Sequence, residues 1–462
     1  MREITHRRAF LRCLTASIAG VGFGVAPQSL LAGIRTTKWK AGFAKIPITP
    51  RKSLWMAGYA VRTKPSEGTA QELYAKALAL EDTNGKRAVL VTSDLLGLPA
   101  TVSRKIAARV EKEHQLARRQ LLLSSSHTHG GPVLDRMLEI AYPMTESQWG
   151  DVDAYTNELE DKIVKLVGAA LKALRPAHLS LGHGQAGFGI NRRGPGGVNK
   201  EGPVDHEVPV LRVEDKHGKV RGVVFGYACH NTTARDFMQF HGDYAGFAEA
   251  WIEDHHPGAT ALFVAGCGAD TNPYPRGTIE LARQYGGELA GAVEKVLAGE
   301  MAPVSGPLNT AYEEFPVSFI PPPSHEELEA QLKNADPYRR KWAMKMLGIL
   351  DRDGHLPATY SYPVAVWQFG SDLTMIALAG EAVVDYDLRL KRELGHDRLW
   401  VAAYCNDVFA YIPSLRVLQE GGYEGKDAMV YYGQPGPFAP TVEETIIGKV
   451  LGLVRQMRSE GS

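Results

Sequence analysis

The chain has 462 residues, 44% of them hydrophobic, so it can bury a large core and is long enough for two or three domains. Its 52 basic and 52 acidic residues give a formal net charge of zero. This balance leaves no broad basic surface of the kind that binds nucleic acid, and it favours a small or neutral substrate instead.

The first 32 residues have the pattern of an export signal. Arg7 and Arg8 stand just before an apolar stretch, residues 13–26, that is rich in glycine and alanine; this order is typical of a twin-arginine signal peptide. We therefore expect export through the twin-arginine machinery, cleavage near Ala32, and a periplasmic or secreted protein formed by residues 33–462. The stretch is too short to anchor the mature chain in a membrane. The alternative interpretation is a disordered basic tail.

The cysteines do not suggest a disulfide framework. Cys13 lies in the predicted signal, which leaves Cys229, Cys267 and Cys405 at the ends of apolar runs. An odd number of cysteines cannot all pair within one chain, so we expect these three to be small buried side chains.

Apolar runs of strand length alternate with amphipathic stretches of helical length over the rest of the chain. The pattern predicts strands at residues 88–92, 121–126, 222–229, 261–265, 373–380 and 400–405. It predicts helices at residues 102–115, 153–174, 244–253, 279–298, 326–347 and 442–457, with a glycine-rich loop at 187–202 and a proline-rich surface excursion at 316–323. Alternation of this kind indicates an α/β fold, a three-layer mixed sheet with helices on both faces.

Four of the predicted strands lead into a side chain that can bind a metal ion. His127 and His129 follow the first of them, His230 and Glu381 follow the next two, and the last opens into a segment that contains Tyr411. Ligands bind outside the carboxyl ends of the strands in open α/β sheets, so we expect these side chains to share one pocket. Imidazole together with carboxylate suits Zn²⁺. The pattern therefore predicts a zinc site at the strand carboxyl ends.

Each of these side chains also has an ordinary structural explanation. His127 and His230 could be core histidines bonded to the backbone, Glu381 could pair with an arginine, and Tyr411 could be a core tyrosine. Asp94, at another strand end, could cap the following segment or orient one of the histidines. A fourth protein ligand would fill the open position of a tetrahedral catalytic zinc, so a tyrosine ligand would require five-coordination or loose binding.

In their order along the chain, these motifs resemble those of the neutral ceramidase family, zinc amidohydrolases that cleave the N-acyl bond of ceramide. The resemblance is carried by segments 46–50 (IPITP), 56–59 (MAGY), 126–132 (SHTHGGP), 190–192 (INR), 230–233 (HNTT), 241–244 (HGDY) and 380–381 (GE), and by Tyr411 and Tyr423. It extends from about residue 42 to residue 432. Nothing after Val442 could form the family's carboxyl-terminal immunoglobulin-like domain, so we expect the catalytic domain alone.

The resemblance also implies roles for single residues. It implies that His127, His230, Glu381 and Tyr411 bind the zinc ion, while His129 takes part in the chemistry.

On the substrate side, the resemblance implies that Arg192 and Tyr423 act in the site. One departure concerns the reacting centre, where the family has a serine within a Gly-Asp-Val-Ser-Pro-Asn run. Here residues 268–273 read GADTNP, which places Asn272 opposite that serine and Thr271 next to it. A hydroxyl nucleophile is therefore absent at this position, and the identity of the substrate stays open.

The leading hypothesis is a zinc-dependent hydrolase that cleaves an amide (N-acyl) bond by attack of zinc-bound water, which needs no serine. His129 would carry the proton from the water to the leaving nitrogen, and Tyr423, Arg192 and Asn272 would donate hydrogen bonds to the oxyanion. The substrate would be a lipid or another small molecule. Two alternatives stay open: a zinc hydrolase of a different amide or of a sugar or cell-wall ester, and a non-catalytic periplasmic binding protein that retains the metal site.

Overall fold

A computed structural model of the protein describes residues 38–460. The predicted export signal at residues 1–32, with Cys13 and the cleavage position near Ala32, lies outside the described residues. Cys229, Cys267 and Cys405 are free and buried, as expected from the sequence. None of the described helices is both long and apolar enough to cross a bilayer.

Strands and helices alternate through most of the described chain. The strands are β1 Trp39–Pro47, β2 Tyr74–Asp82, β3 Arg87–Ser93, β4 Leu121–Ser125, β5 Arg175–Gln185, β6 Gly189–Asn191, β7 Glu207–Asp215, β8 Val220–Tyr227, β9 Thr260–Ala265, β10 Thr271–Pro273, β11 Ala302–Val304, β12 Leu308–Ser318, β13 Thr359–Phe369, β14 Leu373–Leu378, β15 Glu381–Ala382, β16 Leu399–Ala402 and β17 Tyr411–Ile412. The helices are α1 Ala100–His114, α2 Glu146–Lys172, α3 Asp243–His255, α4 Ile279–Ala298, α5 His325–Gln331, α6 Pro337–Asp353, α7 Val384–Leu394, α8 Leu415–Glu420, α9 Ala428–Tyr432 and α10 Val442–Glu460.

The larger sheet has the strand order β4-β3-β2-β1-β5-β7-β8-β9, with β11 paired to β5. Most neighbours are antiparallel, but β3 and β4 are parallel, as are β8 and β9. Both faces are buried. In β3, Val89 and Val91 share an apolar cluster with α1 and α2, whereas Ala88 and Leu90 face the second sheet. Burial on both faces explains why these strands are continuous apolar runs in the sequence.

The second sheet, β12-β13-β14-β16, packs against the larger one. Its residues Trp367, Met375 and Trp400 share one apolar cluster with Leu90 and Leu122 of the larger sheet. Helices α7 and α10 cover the other face of the second sheet. The predicted α/β class, with mixed sheets and helices on the outer faces, is confirmed. The structure adds that most described strands belong to two sheets with a shared apolar layer, while β6 with β10 and β15 with β17 form two-stranded sheets.

The two edges of the larger sheet meet at one short segment, residues 403–406. The carbonyl oxygen of Tyr404 accepts the N–H of Ser125 in β4 at 3.2 Å. At the opposite edge, the N–H of Ala403 donates to the carbonyl oxygen of Ala265 in β9 at 2.9 Å. Because one segment holds both edges, the sheet must curl, and the carboxyl ends of β4 and β8 come together although they are distant in the strand order.

The helix predicted at residues 326–347 is wrong, because the structure divides this stretch in two. The first helix, α5, ends at Gln331, and α6 begins at Pro337. Proline lacks the N–H that a helix interior needs but fits the first turn of a helix. Asp336 caps α6 by accepting the N–H of Tyr338 at 2.9 Å.

Two other boundaries differ from the prediction. Helix α2 begins at Glu146 and not at 153, because Thr145 and Gln148 form a capping box. The predicted surface excursion at 316–323 is also partly wrong, since β12 continues through Pro316 to Ser318. β12 is the edge strand of the second sheet, and an edge strand tolerates a residue without an N–H.

Asp407, just beyond β16, carries a buried carboxylate that accepts a hydrogen bond from Tyr360 at 2.6 Å. Burial raises the pKa of Asp407 from 3.8 to about 7. The folded protein therefore binds this proton more tightly than the unfolded chain does. The associated stability is present below about pH 4 and is lost as the pH rises towards the folded-state pKa.

We expect Asp407→Asn to flatten this part of the pH dependence, because the variant has no carboxyl group to ionise. Between about pH 4.5 and about pH 7.5 its free energy of unfolding should gain at least about 1 kcal/mol relative to the wild type. Urea unfolding at several pH values measures the difference, with Asp254→Asn at an exposed position as the control. Parallel curves for the wild type and Asp407→Asn would contradict this account.

Candidate metal centre

His127 and His129 leave the larger sheet at the carboxyl end of β4. His127 has a left-handed backbone with φ of 59°, a conformation that costs a non-glycine residue about 1 kcal/mol or more. Its ring stacks on Tyr404, with ring centroids 4.3 Å apart. Its Nδ1 donates to the carbonyl oxygen of Leu96 at 2.7 Å. Since a carbonyl only accepts, the proton of this imidazole is held on Nδ1 and Nε2 presents a lone pair.

His230 stands three residues beyond the end of β8. Its backbone N–H donates to the carbonyl oxygen of Thr271 at 2.9 Å, and its Nδ1 donates to the carbonyl oxygen of Gly268 at 3.0 Å. Only glycine permits this approach, because a Cβ on Gly268 would lie 2.4 Å from the backbone nitrogen of Cys229. His230 therefore also presents the lone pair of Nε2.

Glu381 and Tyr411 are register partners in β15 and β17, which form a two-stranded parallel sheet of their own. Glu381 begins β15 three residues after the end of β14, and its N–H donates to the carbonyl oxygen of Ala410 at 2.9 Å. The pairing places the carboxylate and the phenol side by side. The hydroxyl of Tyr432 donates to Glu381 Oε1 at 2.5 Å, which leaves Oε2 directed elsewhere.

Three donor atoms form a tight triangle. The Nε2 atoms of His127 and His230 are 3.1 Å apart. Glu381 Oε2 lies 3.0 Å from the first and 3.2 Å from the second. All three side chains are buried. Two imidazole lone pairs and a carboxylate that face one another at these distances repel unless a positive charge lies among them.

A metal ion fits this triangle. Burial, together with the charge of Arg192, lowers the pKa of His230 to about 4, so this imidazole is neutral near pH 7. A tetrahedral ion with metal–nitrogen distances of about 2.0–2.1 Å has ligand atoms roughly 3.3–3.4 Å apart, close to what is observed. Independently of Glu381, the ring nitrogens of His127, His129 and His230 lie within 4.8 Å of one another, so this buried cluster could also hold a metal ion.

Tyr411 and His129 flank the triangle on different edges. The hydroxyl oxygen of Tyr411 is 3.3 Å from His230 Nε2, and His129 Nε2 is 3.4 Å from His127 Nε2. Either atom can extend the donor set beyond three. Unlike the other two histidines, His129 has a buried Nδ1 without a hydrogen-bond partner among the described residues. The backbone therefore does not fix which of its nitrogens carries the proton.

Arg192, directly after β6, reaches the cluster through Tyr411. Its guanidinium donates to the hydroxyl oxygen of Tyr411 at 3.0 Å and to Glu424 at 2.7 Å. Arg193 also pairs with Glu424 and with Glu420. Arg192 is thus held by protein atoms and is not among the residues that line the cavity beside the triangle.

A cavity of about 180 Å³ opens beside the triangle. Tyr423 lines it from a π-helical turn, Tyr423–Asp427, a feature that is frequent at functional sites. Its ring lies 5.3 Å from that of Tyr411, and 44% of the residue is exposed. The other wall residues are mostly aromatic or apolar, and they include Tyr59, Val61, Leu96, Leu138, Ala141 and Tyr431.

Asn272 lies in β10, which pairs antiparallel with β6. Its amide oxygen accepts a hydrogen bond from Thr232 at 3.4 Å, and the hydroxyl of Thr232 in turn accepts one from Arg276 at 3.2 Å. This order leaves the NH₂ group of Asn272 to donate elsewhere. Asn272 is not among the cavity-lining residues, and the structure places it beside Thr232, two residues after His230.

Several groups that contact the cluster could not be identified from the sequence. Tyr432, which bonds Glu381, follows another tyrosine in a short helix, and no pattern distinguishes the two. The ring of Tyr59 lies 4.7 Å from that of His129, within a segment noted only for its resemblance. Leu96 contacts His127 through its backbone carbonyl, a group that every residue type has, so the sequence cannot indicate this contact. Such contacts depend on tertiary placement and not on local pattern.

Asp94, a candidate for orienting a histidine, contacts other groups instead. Its carboxylate accepts the N–H of Tyr74 at 2.8 Å. It is buried near the charges of Lys76 and Glu249. The carbonyl oxygens of Leu96 and Gly268 perform the orienting role instead.

Comparison with known proteins gives a consistent result. The family described as neutral/alkaline non-lysosomal ceramidase, N-terminal, matches residues 39–303, more than half of the chain. Neutral ceramidase 1 of Arabidopsis thaliana is 26% identical over 241 residues, which cover 49% of this chain and 30% of that protein. Neutral ceramidase of Mycobacterium tuberculosis is 28% identical over 239 residues, which cover 47% of this chain and 37% of that protein. The match thus spans about a third of the length of these relatives.

Solved structures show the same fold. The crystal structure of neutral ceramidase from Pseudomonas aeruginosa superposes with a TM-score of 0.69 and 19% identity, covering 88% of this chain and 72% of that one. A ceramidase complexed with C2 gives a TM-score of 0.68 and 18% identity, with 88% and 73% covered. The family match and the shared fold agree, and the chain belongs to the neutral/alkaline non-lysosomal ceramidase family.

Proposed function

We propose that the protein is a zinc-dependent amidohydrolase that cleaves the N-acyl bond of a lipid or a related small molecule. The observation that carries the proposal is the triangle of His127, His230 and Glu381, three buried donor atoms 3.0–3.2 Å apart. Imidazole and carboxylate donors together favour Zn²⁺. Tyr411 would be a further, looser ligand on the His230 edge. Residues 33–462 would form the catalytic domain.

Membership of the family supports the reaction type. The related proteins from other organisms are named neutral ceramidases, which indicates an N-acyl bond as the target. When bound at the triangle, a zinc ion supplies a lowered pKa for water and polarises an amide carbonyl. The remaining tasks, which are to move a proton and to stabilise the oxyanion, belong to side chains of the protein.

His129 is the group proposed to move the proton. Burial, together with the neighbouring His127 and His230, lowers the pKa of His129 well below 6.5, so its imidazole is neutral near pH 7. A neutral imidazole can accept a proton from water and return it to the leaving nitrogen. Because no backbone carbonyl holds its proton on one nitrogen, His129 is better suited to this task than to the fixed ligand role of its two neighbours.

Tyr423 and Asn272 are the groups proposed to stabilise the oxyanion. The hydroxyl of Tyr423 makes no hydrogen bond with the described residues and stands at the cavity wall. The NH₂ group of Asn272 is directed by the bond from Thr232 to its amide oxygen. Arg192 would support both by holding Tyr411 and by its positive charge near the cluster.

Replacing His127 removes one corner of the triangle. We expect His127→Ala to lose bound metal and to lower turnover of an N-acylsphingosine by roughly a hundredfold or more. Metal analysis and fatty-acid release measure the two effects, and chelation followed by zinc should reproduce and then reverse them in the wild type. His217→Ala, at an exposed turn, is the control. If the metal-free variant released fatty acid at the wild-type rate, the proposal would be wrong.

The role of Asn272, which stands where the family has a serine, can be tested by mutation. If its amide donates to the oxyanion, Asn272→Ala should lower kcat by roughly a hundredfold with a smaller change in KM. Thr232→Val should lower kcat by less, since it removes only the group that directs the amide. Steady-state kinetics on the best amide substrate measures both. An unchanged kcat in Asn272→Ala would show that Asn272 is not an oxyanion donor.

The twin-arginine signal at residues 1–32 and the periplasmic or secreted location stay predictions. We expect export to fail when Arg7 and Arg8 are both replaced by lysine, because the machinery reads the arginine pair. Cell fractionation and amino-terminal sequencing of the exported protein measure location and cleavage site. Unaltered export of the double variant would count against the twin-arginine route.

A further inference from the structure

Three arginines beside the metal centre have no acidic partner. Arg62, Arg235 and Arg276 form no ion pair with a carboxylate of residues 38–460, whereas Arg192 and Arg193 nearby are both paired. Arg62 is almost completely buried, at 2% exposure. It donates to the carbonyl oxygen of Ala57, but its Nε and Nη2 have no partner among the described residues. A buried cationic group with unmade hydrogen bonds is costly, and such a group calls for an anionic acceptor.

All three arginines lie on the side of the site marked by Tyr59. The Tyr59 ring is 4.7 Å from the ring of His129, and the guanidinium of Arg62 is 5.1 Å from the centroid of the same tyrosine. Arg276 donates to Thr232, which bonds the proposed oxyanion donor Asn272. These arginines therefore approach the reacting centre from the side of His129 and Asn272.

Arg235 is held next to Arg276 by the backbone. The N–H of Gly277 donates to the carbonyl oxygen of Thr233 at 2.7 Å. A Cβ placed on Gly277 would lie 3.8 Å from Cδ of Arg235. The charge of Arg235 acts on Arg276, and Arg235 is exposed whereas Arg276 is half-buried.

The local charge on this rim is positive. The hydroxyl of Tyr59 is buried without a partner, and the charges of Arg276, Arg62 and Arg235 all act on it. The acidic groups that act here are Asp243 and Asp236. The Asp243 carboxylate is already engaged by the backbone N–H groups of residues 233, 234 and 244. Three arginine side chains thus act in this region against two carboxylates, and one of these carboxylates already accepts backbone hydrogen bonds.

The wall of the cavity has a different character. Leu96, Leu138, Ala141 and Tyr431 line it, together with the ring of Tyr423. Apolar and aromatic side chains suit an acyl chain. The site therefore combines an apolar cavity wall with a cationic rim, which lies next to Tyr59 and outside the cavity lining.

We propose that the amide substrate carries an anionic group, a carboxylate or a phosphate, which binds at the rim of Arg62, Arg235 and Arg276 while the acyl chain occupies the apolar cavity. Guanidinium groups bind both kinds of anion through paired hydrogen bonds. This inference rests on the proposed amide hydrolysis and names the class of its substrate. It departs from ceramide, which is neutral.

Three amides with the same acyl chain test this inference: N-dodecanoylglycine, N-dodecanoyl-phosphoethanolamine and the neutral N-dodecanoylethanolamine. For the wild type with zinc, we expect kcat/KM of at least one anionic amide to exceed that of the neutral one by roughly tenfold or more. The first two compounds distinguish carboxylate from phosphate. Arg276→Gln and Arg235→Gln should each reduce the ratio of anionic to neutral kcat/KM, and the double variant should bring it near one. Arg221→Gln, at an exposed position in β8, should keep the wild-type ratio.

Equal kcat/KM for the three amides, or a ratio that the double variant leaves unchanged, would overturn the inference. If none of the three is cleaved, the proposed hydrolysis fails, and calorimetric binding of the same compounds decides the inference by itself. Tighter binding of an anionic amide, weakened roughly tenfold in Arg276→Gln, would support it. Equal binding of all three, or no binding, would overturn it.

Discussion

The candidate site depends on one constraint, which is that residues 403–406 hold both edges of the larger sheet. β4 and β8 are separated by five strands in the sheet order, yet the histidines that follow them have Nε2 atoms 3.1 Å apart. Only a sheet curled far enough to bring its edges to one segment permits this. Tyr404 and Asn406 in that segment have left-handed backbones, with φ of 56° and 66°. Such conformations persist where hydrogen bonds on both sides determine them.

The same segment connects the two halves of the donor set. The segments that follow β4 and β8 of the larger sheet supply the imidazoles, the β15–β17 pair supplies the carboxylate, and Tyr404 packs on His127. Backbone carbonyls fix the tautomers of His127 and His230, and the hydroxyl of Tyr432 holds one oxygen of Glu381. The lone pairs thus converge in an arrangement that contacts within the protein hold. Preorganisation of this kind limits the reorganisation that metal binding requires.

Much of this arrangement was visible in the sequence, because apolar runs that end on histidine or glutamate are local patterns. The predicted convergence of His127 and His230 required only the rule that strand ends share a crevice, and the α/β class followed from alternation. Other features could not be predicted, because they arise from contacts between distant segments. These are the division of the strands among separate sheets, the hydrogen bond from Tyr432 to Glu381, and the rim of Arg62, Arg235 and Arg276. The division between α5 and α6 is a different case. Pro337 is a local signal for the start of a helix, but the amphipathic pattern of residues 326–347 favoured one continuous helix.

The donor atoms come from distant parts of the described chain, from residue 127 to residue 411, and this has a thermodynamic consequence. An unfolded chain cannot bring these atoms together, so an ion would bind only the native state and would resist its melting. At free ion a hundredfold above the dissociation constant, such linkage adds about 2.7 kcal/mol to stability. Detachment of the β15–β17 pair alone would release the ion by withdrawing Glu381. Resistance to heat would therefore depend on the concentration of the free ion, and local unfolding of the segments that carry the histidines would be coupled through the ion to unfolding of the segment that carries Glu381.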